Sequence, residues 1–356
     1  MKHIDTLDMQ LSINPKCKKL IKSNLRNHDT SKYGKGGAFK KKHPKYPITF
    51  FYICRGCYLI VKLSHEFMVG IESADALIEK VIEITIEYFG ISRDDIIENR
   101  AINEPMMLFK YKGKVLNKPK IRTRNLDLIE LNRIEFKNDG KLNCSDEQLG
   151  IQDIFRICEE YSNRCYKELF QYSTRTNCRY FNDNRCYVSV VCYFKEYERL
   201  EKKDWQGATK YKNVIRTEVK LWNAHLNYSK RHRDKTVRKY FNEDVAQEYF
   251  NKYVVPIFYT EPYYRIDKAT ELIYECQWLP MYKKHRLVKL LTLINEVGIT
   301  KARENYDAET FRKYIKQIRD LGINPLSYSR YINGKEIKVK KIKNFTLFKN
   351  SIEEDI

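Results

Sequence analysis

Three short stretches carry residue types suited to phosphoryl chemistry. In residues 186–194 an apolar run, Tyr187-Val188-Ser189-Val190-Val191-Cys192, delivers Tyr193, with Lys195 and Glu196 just beyond it. A buried strand that ends this way can present a phenolate to phosphorus, while a nearby cation lowers the phenol's proton affinity and steadies the leaving oxygen. Strand side chains alternate between faces. Residues 213–221 therefore carry Arg216, Glu218 and Lys220 on one face, opposite Ile215, Thr217, Val219 and Leu221. By the same parity Arg133, Glu135, Lys137 and Asp139 share a side in residues 131–139, opposite Asn132, Ile134 and Phe136. Two carboxylates four residues apart, joined by a third from a neighbouring strand, are hard oxygen ligands for Mg2+ or Mn2+ and could polarise a phosphodiester. Each pattern has an ordinary counterpart. A half-exposed antiparallel strand carries a solvated charged face, an ion ladder of alternating sign is common on surfaces, and Tyr193 is one of 27 tyrosines.

Cysteine chemistry is a weaker lead. Cys54-Arg-Gly-Cys57 has metal-ligand spacing, but a structural zinc site needs a second close pair, and the other eight cysteines are irregularly spaced. Reduced thiols are the default.

The elements that must hold these residues follow from periodicity. Residues 7–13 read as a first strand, and residues 48–63 as a β-hairpin turning at Arg55-Gly56. Ile78, Ile82, Ile86 and Phe89 recur at helical steps over residues 74–89. Ile151, Ile154, Phe155, Cys158, Tyr161, Cys165 and Leu169 do the same over residues 149–170. Strands at 126–137, 186–194 and 213–221 complete an α+β pattern, a mainly antiparallel sheet with helices on one face and the other face free to hold a site. Helices are expected at 245–253, 285–297, 300–306 and 308–321, with Gly298 and Gly322 just past helix ends and a helix-turn-helix flavour. The organisation read from this is a domain over residues 1–235, a helical domain over 236–330 and a Lys-rich tail over 331–356.

Composition narrows the partner. The 356 residues hold 67 Lys and Arg against 46 Asp and Glu, a net charge of +21 that suits a polyanion such as nucleic acid. An AT-rich coding bias enriches Lys, Ile, Asn and Tyr without any such role. Residues 16–45, with Lys40, Lys41 and Lys42 and broken by Gly34, Gly36 and Gly37, read as a mobile basic loop, either a phosphate-tracking arm or plain solvated chain. No apolar stretch approaches the length of a membrane span, and the start lacks the apolar core of a signal peptide, so no membrane partner and a cytoplasmic location are expected.

Taken together, Arg133-Ile134-Glu135-Phe136-Lys137-Asn138-Asp139, Tyr193-Phe194-Lys195-Glu196-Tyr197-Glu198 and Ile215-Arg216-Thr217-Glu218-Val219 stand in an order and spacing that resembles the rolling-circle replication initiators. The likeness is to the phage and plasmid replication proteins of the filamentous-phage gene-two type, and Ile4-Asp5-Thr6-Leu7 and Leu321-Gly322-Ile323-Asn324-Pro325 extend it over most of the chain. The resemblance implies a rolling-circle nuclease-like α+β fold. It also implies a metal-dependent endonuclease and strand transferase that nicks a replication origin through a covalent 5′-phosphotyrosine. Carried over by position, Tyr193 matches the nucleophile. Glu135, Asp139 and Glu218 match the acidic metal and structural positions, Arg133, Lys195 and Arg216 are basic supports, and His225 is a further candidate ligand. The chain departs from the pattern by lacking a His-hydrophobic-His pair and by carrying Glu at 135, where Asp is common.

The implied cofactor is Mg2+ or Mn2+. The implied partners are duplex and single-stranded origin DNA and, in the absence of a Gly-x-x-x-x-Gly-Lys-[Ser/Thr] loop, a helicase and polymerase of the bacterium that hosts the phage or plasmid. Lys283, Lys284, Arg312 and Lys313 are the expected phosphate contacts of the helical region, beside Lys40, Lys41 and Lys42 of the basic loop. A non-catalytic origin-binding or regulatory protein of the same fold is the alternative.

Overall fold

The structure is a computed structural model that describes residues 3–25, 38–53, 58–97, 99–105, 110–111, 114–115, 121–127, 129–141, 178–183, 187–228, 235–332, 335–336, 338 and 340–342. The expected helix at 149–170, Cys54 and Cys57, residues 26–37 of the basic segment and residues 343–356 of the tail lie outside these. The fold is α+β, with a mainly antiparallel sheet and helices that include a C-terminal set. Among the described residues no helix is long and apolar enough to cross a membrane.

The chain packs as two units, one of Met1–Glu135 with Leu221–Val245 and the other of Phe136–Lys220 with Ala246–Ile356. In the first, β1 (Ile4–Ile13) leads through a 3-10 turn into α1 (Lys18–Asn24), followed by β2 (Ala38–Lys42), β3 (Ile48–Ile53) and β4 (Tyr58–Ser64). The strands run antiparallel in the order β1-β4-β3-β2. Their register sets Met9 opposite Val61 and Phe50 opposite Val61, so Leu7, Met9, Leu11, Phe50, Val61 and Leu63 form one buried face. Over residues 74–89 the apolar period forms α2 (Ala74–Phe89), capped by the Ser73 side chain, which accepts from the Ala76 amide. Gly90 ends it in the left-handed conformation, φ 63°. Tyr88 stacks on Phe50 at 5.0 Å, which docks the end of α2 on β3.

The described parts of the basic segment, residues 16–25 and 38–45, are more structured than their charge suggests. Ile21 of α1 and Leu25 just past its end are buried, which anchors this short helix despite its lysines. Lys40, Lys41 and Lys42 sit on the edge strand β2, where lysine discourages further strand pairing. Lys41 also donates to the Asn24 carbonyl.

In the second unit β5 (Glu130–Lys141, from Phe136 onward), β6 (Cys178–Asp183), β7 (Val188–Phe194) and β8 (Val214–Trp222, up to Lys220) run in the order β6-β7-β8-β5. Between β7 and β8 lie α3 (Lys195–Glu201) and α4 (Trp205–Lys210). Asp204 caps α4 by accepting from the Gly207 amide, so close that any Cβ at Gly207 would collide with its carboxylate. Beyond residue 242 come α5 (Glu243–Tyr253), α6 (Ile266–Glu275), α7 (Met281–Glu304) and α8 (Ala308–Asp320). Leu287, Leu290, Leu291 and Ile294 of α7 are buried, as are Phe311, Ile315 and Ile318 of α8. Gly298 breaks α7 with φ 84° and ψ 156°, a conformation open in practice to glycine alone. The helices expected at 285–297 and 300–306 meet at this break.

Candidate functional site

Tyr193 is the last but one residue of β7 and the only half-exposed one, since Val188 to Cys192 and Phe194 are buried. Its hydroxyl donates to Glu218 Oε1 on the neighbouring strand β8 at 2.5 Å. The other oxygen of that carboxylate, Oε2, pairs with Lys220 Nζ at 2.9 Å. Glu218 is 3% exposed and Arg216 2%. The charged face of β8 is therefore enclosed by protein and is not the solvated strand face that its parity also allowed. Burial of this kind makes each pairing obligatory, because an unpartnered ion away from water costs several kcal/mol, roughly.

Arg216 meets that requirement with Asp139. Its Nε and Nη2 each donate to one carboxylate oxygen, both at 2.6 Å, a two-pronged pair from β8 to β5. Asp139, expected as a metal ligand, has both oxygens engaged by this guanidinium. Glu135 and His225 belong to the first unit. There Glu135 pairs with Arg133 at 3.3 Å, Arg133 pairs with Asp8 at 3.2 Å, and His225 lies half-buried on the short helix Asn223–Tyr228. Burial raises the Asp8 carboxyl above the usual range, only partly offset by Arg133 and Lys62.

Lys195 opens α3 and is 4% exposed. Its ammonium lies 5.6 Å from the centre of the Tyr193 ring and pairs with Glu198 at 2.9 Å one turn on. Burial would raise the Glu198 carboxyl, but hydrogen bonds from Lys202 and Lys195 outweigh it and hold the group below its ordinary value. Tyr211, which sequence reasoning passed over, collects these cations: Lys195, Arg199 and Arg216 lie 5.9, 5.5 and 5.7 Å from its ring centre. Nothing in its local sequence marks it, since the cations reach it from α3 and β8. Tyr197 is 37% exposed and sets its ring edge-on to Phe194 at 6.2 Å.

Among the described residues no three His, Cys, Asp or Glu side chains come together as a metal-holding group. Glu218 and Asp139 are hard oxygen donors of the right chemistry for Mg2+ or Mn2+, and each is now neutralised by an amino-acid cation. Of the expected phosphate contacts, Arg312 and Lys313 are exposed on α8 and Lys283 is half-exposed. Lys284 is not available for that role: it is 8% exposed and its ammonium donates to the Tyr274 carbonyl at 2.7 Å, tying α7 to the end of α6.

Comparison with protein-family models and with characterised proteins finds no match for this chain.

Proposed function

We propose that this protein is an origin-nicking endonuclease and strand transferase that starts rolling-circle DNA replication, with Tyr193 as nucleophile. The observation that supports it most is the 2.5 Å hydrogen bond from the Tyr193 hydroxyl to the buried Glu218 carboxylate, beside Lys195. A phenol is a weak nucleophile until it loses its proton, and a carboxylate in hydrogen-bond contact is the group that can take it. In the step, the Tyr193 proton passes to Glu218 as the phenolic oxygen bonds to phosphorus. The bond from phosphorus to the 3′ oxygen breaks, and that oxygen leaves as a 3′ hydroxyl after taking a proton from water. The 5′ phosphate stays on Tyr193, so attack by a 3′ hydroxyl on the same phosphorus reverses the chemistry and rejoins ends.

Lys195 steadies the phenolate through its field, and Arg216 keeps Asp139 and Tyr211 in register around it. Glu218 with Asp139 would hold Mg2+ or Mn2+, which supplies charge neutralisation at the scissile phosphate. Phosphate contacts fall to Lys40, Lys41 and Lys42 and to Lys283, Arg312 and Lys313. Unwinding and synthesis fall to a helicase and polymerase of the host bacterium, which places the protein in that cytoplasm.

A second reading has one specific observation in its favour. Asp139 and Glu218 are both satisfied by protein cations, as a purely structural polar core would be, and a non-catalytic origin-binding or regulatory protein would keep such a core. Incubation with supercoiled replicon DNA and Mn2+, followed by a denaturing gel, separates the two. The nicking reading expects a covalent protein-DNA adduct, and the binding reading expects none.

A further inference from the structure

Residues 274–289 carry a surface that the nicking chemistry leaves unused. Tyr274, at the end of α6, is 37% exposed; Trp278, in the turn before α7, is 64% exposed, and Met281 and Tyr282 at the start of α7 are each 57% exposed. Apolar side chains on a soluble surface are usually scattered singly, and clusters mark contact sites. These stand on a braced base. Lys284 ties α7 to the Tyr274 carbonyl, and the Tyr274 hydroxyl meets the His285 ring at 3.0 Å. The Arg286 guanidinium lies 5.6 Å from the Tyr282 ring centre, and Tyr282, Arg286 and Lys289 recur at four- and three-residue steps on one exposed face of α7. Glu275 is the one carboxylate of the segment, against Arg286, Lys289 and the half-exposed Lys283.

We propose that this surface is a stacking platform for single-stranded nucleic acid, with unpaired bases on Trp278 and Tyr282 and phosphates on Arg286 and Lys289. The exposed Trp278 and Tyr282 rings offer an unpaired base the stacking that a duplex already supplies within itself, and they do so for any base. Cations set a helical turn from the rings match a polymer in which flat bases alternate with anionic phosphates. The charge balance is what selects a polyanion over a neutral apolar partner. The inference needs no nicking, so it stands apart from the fate of Tyr193.

The test uses the full chain with a fluorescent oligothymidylate and with a duplex of equal length, read by anisotropy over a salt series. Trp278→Ala should weaken oligothymidylate binding about 5- to 150-fold, the range that stacking of one base supplies. Thermal stability and duplex affinity should be unchanged. Arg286→Ala should flatten the single-strand salt dependence by roughly 0.7 in log-log slope. Oligothymidylate carries no origin sequence, so its anisotropy reads binding whether or not the chain forms an adduct with origin DNA, which keeps this result separate from the nicking test. Unchanged single-strand affinity in a Trp278→Ala, Tyr282→Ala double variant overturns the proposal. Equal losses on duplex and single strand overturn it in favour of a duplex contact, and loss of self-association alone would assign the surface to a second copy of the chain.

Discussion

Tyr193 and Glu218 are joined across neighbouring strands by a 2.5 Å hydrogen bond in which the phenol donates and a buried carboxylate accepts. The pair fixes the orientation of the Tyr193 hydroxyl and supplies a proton acceptor within reach. It also makes Glu218 depend on its neighbours, because Tyr193 and Lys220 each engage one of its two oxygens.

Tyr193→Phe removes one hydroxyl and keeps the ring under Lys195. Nicking and adduct should both disappear while origin binding stays within about twofold. Stability should fall by about 1.5–3 kcal/mol, the range for a hydrogen bond to a charged group. Adduct mapping and denaturant unfolding on one preparation read both effects. Full nicking by this variant would sink the assignment, and an adduct moved to Tyr197 would point to a two-tyrosine mechanism.

Glu218→Gln keeps the shape and can still accept from Tyr193, but it no longer takes a proton or balances Lys220. Cleavage should drop by about 10²- to 10⁴-fold, as for loss of a general base, with far less change in binding. Cleavage by the parent chain should also stop in EDTA and return with Mn2+. Undiminished nicking in EDTA would rule out the metal part of the reading.

Asp139→Asn removes the charge that the buried Arg216 guanidinium pairs with on β5. Breaking a fully buried pair costs about 3–5 kcal/mol, and Asp139 is 32% exposed on its side chain, so a loss nearer 2 kcal/mol is expected from the denaturant midpoint. Replacing both partners, Arg216→Met with Asp139→Leu, should recover much of that. A double variant no more stable than Asp139→Asn would show that the pair has no such coupling.

Glu198 gives a pH signature. Its folded carboxyl sits below the ordinary value of 4.5 on balance, because the hydrogen bonds from Lys202 and Lys195 outweigh burial. A depressed folded value means that its stabilisation is present above the unfolded value and is lost as pH falls through the folded one. Glu198→Gln should therefore lower Tm at pH 7 by an amount equivalent to about 1 kcal/mol or less after solvent screening. The gap to the parent should shrink steadily as pH falls below the ordinary carboxylate value of 4.5. A gap that stays constant to pH 2.5 contradicts this.

Local pattern and tertiary partnership account for what the sequence made legible. Residues 74–89 are legible because Ile78, Ile82, Ile86 and Phe89 set the helical period; the Ser73 and Gly90 caps are what the structure adds at its ends. Parity in β8 separated Arg216, Glu218 and Lys220 from Ile215, Thr217 and Val219. Whether that charged face met water or protein depended on Asp139 and Tyr193, which arrive from other strands. The same limit hid Tyr211 and the burial of Lys284. At α1, burial of Ile21 and of Leu25 just past the helix outweighs a run of lysines that by itself reads as a loop.

The role of the C-terminal helices cannot be read by cutting the chain after Lys235, because Ala246–Ile356 packs with Phe136–Lys220 in one unit, and truncation would strip Tyr193 and Glu218 of the unit they belong to. Point substitution avoids this. Arg312 and Lys313 are exposed on α8, whose buried face is Phe311, Ile315 and Ile318, so charge reversal at these two positions leaves the packing intact. If they contact phosphates, Arg312→Glu with Lys313→Glu should weaken duplex origin binding. It should also flatten the log-log salt dependence by about 2, roughly 0.9 for each phosphate charge no longer neutralised. Nicking of single-stranded origin DNA at saturating protein should be spared. Lys284→Ala serves as the contrast, since its ammonium is spent on the Tyr274 carbonyl and its loss should lower Tm and leave the salt slope alone. An unchanged slope in the Arg312, Lys313 double variant would move duplex recognition away from α8, and the next surface to test would be the edge strand with Lys40, Lys41 and Lys42.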